Sequence, residues 1–225
     1  MKIFIIHYKK LVERKKYLTS VLSEFDYEFI EEFDRESISN FDTSLYSNKP
    51  ELWKERVEKI YKDEPGYRIL RDSEICNSLS HLKALKNIID NNLEFAIVLE
   101  DDVILQNDFK KKIEEIVNNI PKDFDFAFFG NSYTMNMLDD ITSDGSTNIT
   151  GNLWKKKLGI TRTVDAYVVS NKAAKILVDN INEIVLPFDF ELTYFFRKLK
   201  MNIYWYDPGF IRQGSQTGKY KSSIR

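Results

Sequence analysis

The apolar positions of this chain fall into short runs separated by helix-length amphipathic segments. Ile3-Phe4-Ile5-Ile6 is an unbroken apolar run that reads as a strand buried on both faces. A helical pattern follows over residues 11–25, with Leu11, Leu18, Val21, Leu22 and Phe25 apolar, and Phe29 to Phe33 reads as a second strand running into Asp34-Arg35. This alternation predicts βαβ units and a mainly parallel sheet flanked by helices. The strongest helical signal covers residues 74–90, where Ile75, Leu79, Leu82, Leu85, Ile88 and Ile89 share one broad stripe. Ser78 lies inside that stripe and His81 at its edge, so each needs a hydrogen-bond partner within the protein.

Phe95-Ala96-Ile97-Val98-Leu99 is a second doubly buried strand, and it stops abruptly at Glu100-Asp101-Asp102. A helix is expected over 108–120, strands over 124–130, 164–169 and 203–206, and helices from 172 to 178 and 192 to 199. Residues 36–66 read as a polar excursion with a helix at 51–61, too short to bury a core alone. Residues 131–152 read as a long polar loop, expected to become ordered on ligand binding, and residues 212–225 as a polar, basic tail. The whole is expected to be a single domain, 1–225.

In open α/β sheets, ligands bind at the carboxyl ends of the strands. Adjacent carboxylates there repel unless a cation is present, and hard oxygen ligands suit Mn²⁺ or Mg²⁺ bridging to substrate phosphates. Taken alone, the triplet equally suits negative charge placed near a helix start.

Composition narrows the partners. Hydrophobic residues make up 43% of the 225, enough for a sizeable core. With 33 Lys and Arg against 35 Asp and Glu, there is no basic field to attract nucleic acid. Cys76 is the only cysteine, which excludes an internal disulfide and a thiolate metal cluster. No apolar run approaches the roughly 18 residues of a membrane span, so a cytoplasmic protein is expected, with peripheral attachment to the inner face of the membrane left open. The oligomeric state is not encoded in any pattern of the chain.

Several motifs occur in order along the chain. Ser73-Glu74-Ile75-Cys76 is followed by Ser80-His81-Leu82, by the strand ending Glu100-Asp101-Asp102, by Asp165-Ala166-Tyr167-Val168-Val169-Ser170, by Pro187-Phe188-Asp189-Phe190-Glu191-Leu192 and by Gln213-Gly214-Ser215. This series resembles glycosyltransferase family 25, the family of lipooligosaccharide and collagen galactosyltransferases. Two positions depart from the family pattern: His7-Tyr8 follows the first strand where Asn-Leu is usual, and Asp165 replaces a histidine or small residue.

The resemblance implies a GT-A-like fold and a metal-dependent, inverting transfer of a hexose, usually galactose, from a UDP-sugar to an oligosaccharide or glycolipid acceptor in surface-glycan synthesis. It implies Asp102, then Asp101, as metal ligands, with Glu100 touching the ribose or orienting the site. Asp189 is the expected base, with Glu191 the alternative; otherwise Asp189 caps the following helix. Arg14 contacts the nucleotide or is a solvated helical arginine, and Asp34 bonds the ribose or uracil or ends a turn. His81 touches the donor or satisfies a buried hydrogen bond. Arg212 and Lys219, in the tail, close over the diphosphate or lie in a polar terminus. Two other functions fit the same carboxylates less well: a silent glycan- or nucleotide-binding domain, and a nucleotidyltransferase, which lacks a glycine-rich phosphate loop here.

Overall fold

The computed structural model describes residues 1–60, 66–130 and 145–223. It is an α/β fold in which helices cover both faces of an eight-stranded sheet. In chain order the described elements are β1 (Lys2–Ile6), α1 (Val12–Val21), β2 (Asp26–Ile30), a 3₁₀ turn (Arg35–Asn40), α2 (Pro50–Glu58), α3 (Asp72–Asp90), β3 (Phe95–Glu100), β4 (Val103–Ile104) and α4 (Phe109–Asn119). They continue as β5 (Phe126–Phe128), β6 (Thr147–Thr150), β7 (Leu153–Lys155), β8 (Ala166–Ser170), α5 (Asn171–Asn180), α6 (Phe188–Lys198), β9 (Ile203–Tyr206) and β10 (Arg212–Gln213).

The sheet order is β2-β1-β3-β8-β5-β9-β7-β6. Pairings are parallel for β1 with β2 and β3 and for β5 with β9, and antiparallel around β8 and β7. Six of the eight strands therefore point the same way, so the sheet is mainly parallel as expected. Its carboxyl edge gathers the ends of β1, β3, β5 and β9.

The doubly buried strands divide their side chains between two cores. Phe4, Ala96, Val98, Tyr167, Phe126 and Ile203 face α3, α5 and α6. Their neighbours Ile3, Ile5, Ile97, Leu99, Val168 and Tyr204 face α1 and α4. This is the period of two expected when both faces are covered. Helix α3 lies on the first face, and the partners its polar stripe residues require are present: Ser78 Oγ donates to the Glu74 carbonyl at 3.0 Å, and His81 Nδ1 lies 2.9 Å from the Tyr167 hydroxyl.

Three expectations are corrected. The second strand is Asp26–Ile30, not residues 29–33; as an edge strand it pairs with β1 alone, from Lys2↔Asp26, so its alternate residues Asp26 and Glu28 are exposed. At the end of the expected polar loop and just beyond it, residues 147–155 form the β6-β7 hairpin, whose outer strand is exposed throughout; residues 131–144 lie outside the described residues. Helix α6 starts at Phe188 rather than 192, with Pro187 at its cap position, so Asp189 sits in the first turn and does not cap it. Among the described residues of the excursion, the 3₁₀ turn and α2 are regular. Helix α2 packs Trp53 and Val57 against Val185 and Leu186.

Candidate active site

The acidic strand end divides its three carboxylates among different neighbours. Asp101 turns towards β1 and α1: its Oδ2 lies 2.8 Å from His7 Nδ1 and accepts the Tyr8 main-chain N–H at 3.1 Å, and its Oδ1 accepts from the Arg14 guanidinium at 2.5 Å. Arg14 and Asp101 are only 3% and 5% exposed, so each is the charge that makes the other's burial tolerable. Arg14 also donates to the Lys221 carbonyl. The two residues expected at a metal and a nucleotide thus form one buried ion pair that joins α1, the turn after β3 and the tail. Among the described residues, both Asp101 oxygens already accept hydrogen bonds from the protein.

Glu100 and Asp102 point the other way. Glu100 accepts from Asn77 Nδ2 at 3.0 Å and Gln213 Nε2 at 3.3 Å, and His81 Nε2 lies 3.7 Å away. Asp102 Oδ1 is buried without a hydrogen-bond partner among the described residues. Burial, reinforced for Asp102 by the nearby Glu100 charge, pushes both carboxyls above the usual range. A buried, partnerless carboxylate oxygen beside a second carboxyl is the donor set a divalent cation takes when it keeps most of its coordination for phosphate and water. His81 is fully buried, stacked 4.8 Å from Phe188, and burial lowers it to about 3. It is a neutral wall beneath Glu100 rather than a charged ligand.

Two cavities meet at Glu100. The first, of about 80 Å³, lies over the ends of β1 and β3, where His7, Tyr8, Arg35, Ser80 and Asp102 line it. The second, of about 500 Å³, opens beside α6, lined by Arg68, Arg71, Thr163, Asp189 and Phe190. Asn77, Glu100, Gln213, Ser215 and Ser222 border both.

Asp189 lies in the second cavity, and its burial raises it to about 6. Glu191 does not share that cavity. It is 0% exposed, pairs with Arg56 and accepts the main-chain N–H groups of Val185 at 2.6 Å and Leu186 at 2.8 Å. These bonds hold the segment before α6, and they place the expected alternative base away from both cavities.

The remaining expected residues are dispersed. Asp34 stands at the start of the 3₁₀ turn with Lys9 3.4 Å away and its Oδ1 buried without a hydrogen-bond partner among the described residues. Arg212 is exposed on β10, and Lys219 lies 4.5 Å above the Tyr17 ring; neither lines either cavity. The tail nevertheless packs tightly on the site. β10 pairs with β4, and the Gly214 N–H donates to the Asp102 carbonyl at 2.6 Å, an approach so close that a Cβ would overlap the Tyr220 ring. Asn77 and Arg35 were not foreseen as site residues, whereas Gln213 and Ser215 belong to a tail motif that the sequence did single out. For Asn77 a signal existed, since it lies one helical turn before His81 on α3. For Arg35 the decisive fact is the return of the tail to the sheet edge, where the Ser223 carbonyl accepts its hydrogen bond, and no local pattern encodes that return.

The sequence pattern of glycosyltransferase family 25 (LPS biosynthesis protein) matches residues 1–192. The chain belongs to glycosyltransferase family 25. Among curated proteins it is 28% identical over 131 residues to procollagen galactosyltransferase 2 of Mus musculus and 29% identical over 135 residues to that of Homo sapiens. Each match covers 57% of this chain but only 20% of the relative's length. A glycosyltransferase involved in glycosylation of the major capsid of PBCV-1 has a solved structure similar over 97% of this chain and 96% of its own, at 12% identity and a TM-score of 0.46. No described helix is long and apolar enough to cross a membrane.

Proposed function

We propose that the protein transfers a hexose, with galactose the first choice, from a UDP-sugar held over the ends of β1 and β3 to a hydroxyl of a glycan acceptor in the cavity beside α6. Family membership and two relatives named as galactosyltransferases support the reaction class. The observation that carries the reading is the meeting of two cavities at Glu100, with Asp102 on one side and Asp189 on the other.

In an inverting step, the acceptor oxygen attacks the anomeric carbon as the bond from that carbon to the diphosphate breaks, and UDP leaves with the bonding electrons. The acceptor proton passes to Asp189. A carboxyl raised to about 6 is still mostly ionised at neutral pH and holds a proton better than an ordinary aspartate, as a general base should. Asp102, with Glu100 beside it, would hold a Mn²⁺ or Mg²⁺ ion, which when bound acts as a Lewis acid on the departing diphosphate. Asn77 and Gln213 fix the Glu100 carboxyl between the two substrates. The acceptor proposed is an oligosaccharide or glycolipid of a surface glycan.

The direct test measures release of UDP from UDP-hexoses with and without Mn²⁺, followed by transfer in wild type and Asp189→Asn. Transfer by the variant should fall about 10²-fold or more with donor affinity little changed. Near-normal transfer would remove Asp189 as the base.

A further inference from the structure

Arg35 stands at the mouth of the first cavity, and the reaction outlined above gives it no task. Its guanidinium lies 4.9 Å from the Tyr8 ring centroid and donates to the main-chain carbonyl of Ser223 at 2.8 Å. The nearest carboxylate, Glu36, is 3.5 Å from Arg35 Nε and is also shared with Tyr8 and, at 3.0 Å, with Lys10. The principal bond of this exposed cation is therefore to a neutral carbonyl. Guanidinium binds phosphate more strongly, and in a two-pronged geometry.

The segment that supplies that carbonyl lies across the cavity. Ser222 and Ser223 line it, the Lys221 carbonyl accepts from Arg14, and the Tyr220 ring centroid lies 4.9 Å from the Arg14 guanidinium. With the segment in place the cavity measures about 80 Å³, well below the roughly 300 Å³ at which small-molecule pockets begin. The inner tail is fixed through β10 and Gly214, whose carbonyl also accepts the Tyr220 N–H at 3.0 Å, a bond that opens when the strap moves; Gly218, between them, adopts a φ of +78° with open space around it. A left-handed glycine in open surroundings is a natural pivot between the two parts.

We propose that Arg35 binds the diphosphate of the donor, and that residues 219–223 form a strap that occupies its place in the free protein, the Ser223 carbonyl standing where a phosphate oxygen binds. The proposal rests on the nucleotide-sugar reading. Donor binding exchanges a neutral acceptor for an anionic one and swings the strap about Gly218. Because only the open form binds, the apparent affinity is reduced by the open fraction; a strap closed nine times in ten weakens binding about tenfold.

The test is calorimetric titration of the full chain with UDP and with uridine, Mn²⁺ present. Arg35→Ala should raise the UDP dissociation constant about tenfold or more and change that of uridine less than about twofold, with Arg35→Lys recovering part of the loss. Tyr220→Ala, which removes the ring contact between the strap and Arg14 and leaves the Lys221 carbonyl bond in place, should loosen the strap and tighten UDP binding severalfold. Thermal melts of all three variants establish folding, and a variant that does not fold is replaced by its conservative counterpart, Arg35→Lys or Tyr220→Leu. Unchanged UDP binding by Arg35→Ala overturns the anion role, and weaker binding by Tyr220→Ala shows that the strap builds the site rather than competing for it. Absence of binding of UDP, GDP and CDP by wild type itself overturns the nucleotide-sugar reading, a result distinct from either.

Discussion

Replacing Glu191 by Gln should cost this protein its stability and leave its chemistry intact. The side chain is fully buried against Arg56, which is 5% exposed, and it accepts the Val185 and Leu186 N–H groups that turn the chain into α6. Glutamine keeps one carbonyl oxygen for those N–H groups but presents Arg56 with no charge. Breaking a buried pair from one side costs about 3–5 kcal/mol, because the remaining ion is left uncompensated. For a chain of this size, each kcal/mol lowers Tm by about 2–4 °C, so a drop of roughly 6–20 °C is expected. The assay pairs differential scanning calorimetry with transfer measured well below the melting transition, normalised to folded protein. Folded Glu191→Gln should transfer sugar within a few-fold of wild type, since Glu191 lines neither cavity. A melting temperature within 2 °C of wild type together with a hundredfold loss of transfer would refute this reasoning and make Glu191 the base.

Arg14→Ala should cost about 3–5 kcal/mol in a thermal or urea melt, because the ion pair of the 5% exposed Asp101 is broken from one side, leaving His7 as its side-chain partner among the described residues; unchanged stability would show that Asp101 does not depend on it. Asp189 contributes a pH dependence of known sign: its folded pKa, about 6, lies above the ordinary aspartate value. Its stabilising contribution is therefore full below about pH 4 and lost as the pH rises through 6, and Asp189→Asn should flatten the melting temperature over that window. Asp102→Asn removes a buried charge that Glu100 repels, so the metal-free protein should melt at an equal or higher temperature while Mn²⁺-dependent UDP affinity is lost; an unchanged Mn²⁺ dependence in the titration would contradict the ligand assignment.

What could be foreseen in this chain follows from how far each interaction reaches along it. Strands buried on both faces announce themselves as apolar runs, which is why β1, β3 and β9 stand where their residues predict. The acidic turn after β3 was legible because an apolar run broken by three carboxylates is a local event. The hairpin of β6 and β7 was not, since Thr147–Thr150 carries no buried residue and is a strand only by virtue of its partner. The site was half visible for the same reason. Glu100, Asp102 and Asp189 could be named from their motifs, but the separate fate of Asp101 depends on Arg14, 87 positions away, and that of Glu191 on Arg56, 135 positions away.

Those two ion pairs explain why a carboxylate motif cannot be divided into roles from its own letters. Asp101 stands between two carboxyls at the cavities and borders the first one itself, yet its oxygens are taken up by His7, the Tyr8 N–H and the buried Arg14. Glu191, two positions from Asp189 on a helix, is turned by about 200° and so faces the protein interior. In both places the neighbour of a proposed catalytic carboxylate is an anchor. The anchors matter to function because they fix the two walls of the site: the Arg14–Asp101 pair joins the acidic turn to the tail, and the Arg56–Glu191 pair holds the start of α6, where Asp189 emerges. Loosening either should move one proposed substrate site relative to the other, so variants of Arg14 and Arg56 are expected to affect catalysis only through position, with transfer falling more steeply than UDP binding.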